Sequence, residues 1–71
     1  MCQRVLWDRA EECARAIQAT SDPKQRELLT RIQDLWITLA NDSRFMSAAR
    51  LSDEMAAVGR IHAELMVSTL H

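Results

Sequence analysis

Apolar residues recur at helical spacing along this chain in three successive blocks. In the first, from about Gln3 to Thr20, Leu6, Trp7, Ala10, Cys13, Ala14 and Ile17 fall on one side of a helix of 3.6 residues per turn. Asp8, Glu11, Arg15 and Gln18 take the other side. In the second, from Pro23 to about Ala40, Leu28, Leu29, Ile32, Leu35, Trp36 and Leu39 form the stripe, while Glu27, Arg31, Asp34 and Thr38 face water. Ile37 lies outside that stripe and points to a second contact surface. In the third, from Ser43 onward, Leu51, Met55, Val58, Ile61, His62, Leu65 and Met66 make the main apolar face. Phe45, Ala49, Ala56, Ala63, Val67 and Leu70 make a strip beside it. The pattern predicts an all-α fold: an antiparallel helical hairpin plus a third helical segment, closed as a three-helix bundle or as a dimeric helical bundle.

Local signals divide the blocks. At Thr20-Ser21-Asp22-Pro23-Lys24-Gln25, Asp22 is placed to accept a hydrogen bond from a free N–H of the following helix, and Pro23 suits the first helical position. Gln25 stands where a capping box has its reciprocal partner. Asn41-Asp42-Ser43 supplies a second stop and cap. Within the last block Ser47 and Ser52-Asp53 are both suitable caps, so the spacing fits one long helix or a short helix followed by a longer one.

Length restricts what such a pattern can hold together. Residues 1–71 make one helical domain. A chain of this size buries only about 60% of its unfolded surface, and its core supplies roughly 3–5 kcal/mol. Nine Lys/Arg against ten Asp/Glu leave a net charge of −1, so there is no general attraction to nucleic acid or anionic lipid. The N-terminal residues carry charges where a signal peptide has its apolar run, and no apolar stretch nears the roughly 20 residues that span a bilayer. Cys2 and Cys13 have no C-x-x-C spacing and stand about 16 Å apart on one helix, too far for a bridge. These features predict a reduced, cytoplasmic protein.

Trp7-Asp8-Arg9-Ala10-Glu11-Glu12-Cys13, then Ala16, Asp22-Pro23, Arg26, Leu28-Leu29 and Trp36-Ile37-Thr38-Leu39-Ala40 set out, in order, an aromatic residue, A-E-x-C, an acidic-Pro turn, then W-x-x-L-A. Over residues 7–40 the chain resembles a family of short uncharacterised helical-hairpin proteins common in alphaproteobacteria such as the rhizobia. The resemblance implies a bacterial helical hairpin and assigns no activity. From Asp42 to His71 the chain departs from that family's usual polar tail.

The residues that bear chemistry favour structural roles. Glu11, Glu12, Cys13 and His62 could in principle gather as metal ligands, but zinc sites draw on local pairs such as C-x-x-C or H-x-x-x-H, and neither occurs. Cys13 falls on the apolar stripe, where free cysteine behaves as a small hydrophobe. His62 sits mid-face in the third block as a core histidine, with a ligand or pH-sensitive interface group as the alternative. Trp7 and Trp36 are packing anchors, or else interface anchors. A single glycine, Gly59 within a helix, precludes a phosphate loop, and no Ser/His/Asp pattern is present. Neither catalysis nor a cofactor is expected.

The predicted function is therefore a non-enzymatic module for protein–protein interaction or self-association, as a homodimer with the third block central. Ile37, Leu51, Met55, Val58, Ile61, His62, Leu65 and Met66 are its candidate interface. Two alternatives stand beside it. One is a helix-turn-helix regulator with Asn41-Asp42-Ser43 as the turn and Arg44, Arg50 and Arg60 on DNA, which the near-neutral charge disfavours. The other is an antitoxin-like antagonist whose groove holds a partner's helix.

Overall fold

The computed structural model describes the backbone of residues 2–69 and the side chains of residues 3–67. Three helices account for nearly all of it: α1 (Cys2–Ala19), α2 (Pro23–Asp42) and α3 (Ala48–Thr69), with a 3-10 turn at Ser43–Phe45 between the last two. No strand occurs among the described residues. The helices lie side by side in a body of 37 × 17 × 16 Å.

The first turn is built largely as its residues dictate. Asp22, with extended backbone (φ −77°, ψ 116°), accepts a 3.0 Å hydrogen bond from the Lys24 N–H, and Pro23 occupies the first turn of α2. The Asp22 N–H donates to the Thr20 hydroxyl at 3.3 Å. That bond takes the donor a capping box would assign to Gln25, whose Oε1 is instead buried without a hydrogen-bond partner. The reciprocal half of the expected box is thus absent, because Thr20 is nearer in the chain and reaches the same N–H first. Asp22→Ala should lower stability by about 1 kcal/mol, read as a fall in the thermal midpoint. An unchanged midpoint would remove Asp22 as the anchor of this turn.

The second break is more elaborate than a simple stop and cap. Ser43 does not cap the next helix. Its backbone is still helical and its hydroxyl donates to the Ala40 carbonyl at 2.9 Å, closing off the end of α2. The Met46 N–H bonds the Ser43 carbonyl, and the chain then extends at Met46 (φ −107°, ψ 147°). Ser47 is the cap of α3, its Oγ accepting from the Arg50 N–H at 3.1 Å and its carbonyl from the Leu51 N–H at 2.9 Å. Ser52-Asp53 lies inside α3, which is one unbroken helix.

The hairpin is antiparallel. Gln3 on α1 donates to the Ala40 carbonyl on α2, and Gln33 on α2 donates to the Ala10 carbonyl on α1, so moving seven residues up one helix moves seven down the other. α3 then runs back along α2, with Asp42 beside Arg50 at one end and Leu28 beside Leu65 at the other. Leu6, Ala10 and Cys13 from α1 are buried. So are Leu29, Ile32, Trp36, Leu39 and Ala40 from α2, and Leu51, Val58 and His62 from α3.

Burial is narrower than the apolar stripes. Trp7, expected as a packing anchor or else an interface anchor, is 42% exposed, and Leu28 and Leu35 also lie open to solvent. Ile37, outside the stripe, is half-buried against the core of its own chain. Phe45, Ala49, Ala56, Ala63 and Val67 are exposed, and Leu70 lies outside the described residues. No helix among the described residues is long and apolar enough to cross a membrane.

Candidate functional site

Helical spacing places Cys13 one turn beyond Ala10 on the inner face of α1 and Trp36 one turn beyond Ile32 on the inner face of α2. α3, packed along α2, brings His62 between them. The indole N–H of Trp36 donates to His62 Nδ1 at 3.2 Å, and His62 Nε2 lies 3.7 Å from Cys13 Sγ. The two rings meet edge to face, with centroids 6.1 Å apart and planes at 60°. All three side chains are buried, so one chain of polar contacts ties one residue from each helix inside an apolar core.

The protons in this chain follow from donor chemistry. An indole nitrogen can only donate, so Nδ1 of His62 must present its lone pair. A neutral imidazole with Nδ1 bare carries its proton on Nε2, and that proton points at the Cys13 sulfur. The nitrogen facing the thiol is therefore already protonated and has no lone pair with which to take the thiol's proton. A cysteine activated for nucleophilic attack needs the opposite arrangement, in which the facing nitrogen is the base.

Electrostatics act in the same direction. Burial, reinforced by the charge of Glu12, pushes the Cys13 thiol up to about 11, so it stays protonated near neutrality. Burial lowers the pKa of His62 below its usual 6.5. Nearby Glu12 opposes this and Arg9 adds to it. Arg9 and Glu12 pair with each other at 3.2 Å at the edge of a hollow of about 210 Å³ beside His62. Of the four residues considered as metal ligands, Cys13 and His62 meet, Glu12 stands near them, and Glu11 is exposed. Among the described residues no group of three His, Cys, Asp or Glu is placed to hold a metal ion.

A second feature lies on the outside, where α2 and α3 run together. Leu28, Ile32 and Leu35 from α2 and Ile61 and Leu65 from α3 line an open hollow of about 410 Å³, flanked by Arg31 and Glu64. Leu35 also borders a neighbouring hollow of about 370 Å³ that reaches Asp42, Phe45 and Arg50, so the two hollows adjoin at Leu35 along the groove between α2 and α3. Leu35 is 45% exposed and Ile61 49%.

The eight candidate interface residues divide accordingly. Leu51, Val58 and His62 are buried within the chain itself, and Ile37, Met55 and Leu65 are half-buried against its core. Only Ile61 and Met66 remain open. The periodicity of the third block did not distinguish the face turned to α1 and α2 from the face beside it. Periodicity likewise puts Leu28 and Leu35 in the stripe of the second block and Phe45 in the strip beside the third, and the structure leaves all three exposed. Arg50 and Arg60, considered as DNA contacts, stand about 15 Å apart along α3 with Asp53 and Glu54 between them, and make no basic face.

Comparison of the chain with protein-family models, with curated proteins and with solved structures finds no match in any of the three.

Proposed function

We propose that this protein is a non-enzymatic, cytoplasmic helical module that self-associates, and that the surface it uses is the groove between α2 and α3. The observation that carries the reading is the apolar lining of that groove, with Leu28, Leu35 and Ile61 open to water on α2 and α3. Burying apolar surface is worth about 25 cal/mol per Å², and a domain this small has only a few kcal/mol of its own, so covering the groove would add a substantial fraction of the total. The chain's net charge of −1 leaves little general repulsion between copies. Within this reading, the hairpin of residues 7–40 is the part shared with the short alphaproteobacterial proteins it resembles. α3 is what completes the groove.

The test is oligomeric mass by light scattering at micromolar concentration, alongside circular dichroism. The expected result is a dimer for the wild-type chain and a monomer of unchanged helicity for Ile61→Glu, since Ile61 is half outside the core already. Val58→Glu is a poor probe, because it would place a charge in the core and unfold the chain whatever its oligomeric state. A wild-type chain that stays monomeric throughout would overturn the reading.

A further inference from the structure

The charges along the groove alternate in a way that selects its occupant. At one end Arg31 on α2, which also pairs with Glu27 one turn back at 3.2 Å on the exposed surface, lines the hollow opposite Glu64 on α3. At the other end Asp42 on α2 lines the hollow opposite Arg50 on α3, so the outermost signs are reversed, with Glu54 one turn inward from Arg50. All four side chains belong to exposed residues. Each helix therefore carries a base at one end of its rim and an acid at the other, and a surface of this kind is complementary to a second copy of itself.

Two face-to-face two-fold arrangements satisfy the charges, and the apolar residues distinguish them. Phe45, on the 3-10 turn, is 82% exposed and projects at the Asp42–Arg50 end. A dimer axis parallel to the helices would set Phe45 against its own copy, at the end lined by Asp42, Arg50 and Glu54. An axis perpendicular to the helices sets it over the far end of the partner's groove, where Leu28, Ile32, Ile61 and Leu65 make the most apolar hollow. An aromatic knob gains most from the apolar hollow.

Resting on the self-association reading above, we infer that the partner is a second copy of this chain, docked groove to groove about a two-fold axis perpendicular to the helices. Arg31 meets Asp42 of the partner subunit, Arg50 meets the partner subunit's Glu64, and each Phe45 enters the other copy's apolar hollow. Both charge pairs occur twice in the dimer.

Sedimentation equilibrium at low ionic strength tests this, with circular dichroism to confirm that each variant is folded. Phe45→Ser and Arg31→Glu should each weaken the dimer by at least about tenfold, since like charges set face to face are costly. Adding Asp42→Arg to Arg31→Glu should restore it, whereas adding Glu64→Arg should weaken it further. Rescue by Glu64→Arg and not by Asp42→Arg would place the axis parallel to the helices and overturn the inference while leaving self-association intact. A dimer indifferent to Phe45→Ser and Arg31→Glu would move the interface elsewhere, again overturning only the inference. A monomeric wild-type chain would remove both.

Discussion

Trp36→Ala should leave the chain largely unfolded at room temperature. Trp36 is 2% exposed, packs among Leu6, Ile32 and Leu39 in the central cluster, and donates the hydrogen bond that fixes His62. Truncating a buried tryptophan costs about 3–5 kcal/mol, and here it also strands the Nδ1 lone pair of a buried imidazole. A domain of this length has roughly that much stability to lose. Trp7→Ala is the matched control: the same residue type, on the exposed side of α1, should change the urea midpoint little. Equal losses for the two variants would show that the hairpin packs on a different face of α1.

Acidification should weaken the fold through His62. In the unfolded chain its imidazole has the ordinary pKa near 6.5, whereas burial holds the native one lower. Below pH 6.5 the unfolded chain takes up a proton that the native state refuses, because protonation at Nδ1 would break the Trp36 bond and bury a charge. This contribution to stability is complete above pH 6.5 and is lost as the pH falls toward the native pKa, at up to about 1.4 kcal/mol per pH unit. Urea midpoints measured at pH 7.5 and pH 5 should fall for the wild-type chain. In His62→Gln, whose amide can accept from Trp36 and donate to Cys13 without titrating, they should change much less. Parallel falls in both chains would assign the acid sensitivity to other groups.

The elements were largely legible in the amino-acid order, and their faces only partly so. Asp22-Pro23 marks the first turn because cap and first-position preferences are local, depending on two or three neighbouring residues. The second break was harder to place. The end of α2 at Ser43, the extended residue at Met46 and the cap at Ser47 divide among several residues what one cap usually does. Periodicity gave the direction of each apolar stripe but not its width. Leu28 and Leu35 lie within the stripe of α2 yet are left open, because each helix touches only two neighbours and the outer part of its arc meets neither.

The contact among Cys13, Trp36 and His62 was beyond the reach of pattern. Each residue stood out alone as a core group, but Cys13 and His62 are separated by 49 positions. Whether they meet depends on the register of α3 against the hairpin, which the 3-10 turn at Ser43–Phe45 sets. A one-residue change in that turn would rotate His62 by about 100° around its helix and break the contact.

Cys13 also makes the molecule a recorder of its own opening. With burial pushing its pKa up to about 11, the thiol is almost wholly protonated at pH 7, and the side chain is fully covered. An alkylating reagent can therefore modify it at an appreciable rate only during excursions in which the sulfur meets water and regains an ordinary acidity. In a Cys2→Ser background, the labelling rate relative to that of the urea-unfolded chain gives the fraction of time the core stands open whenever reclosing outpaces the reagent. Raising the reagent concentration until the rate saturates then yields the opening rate itself.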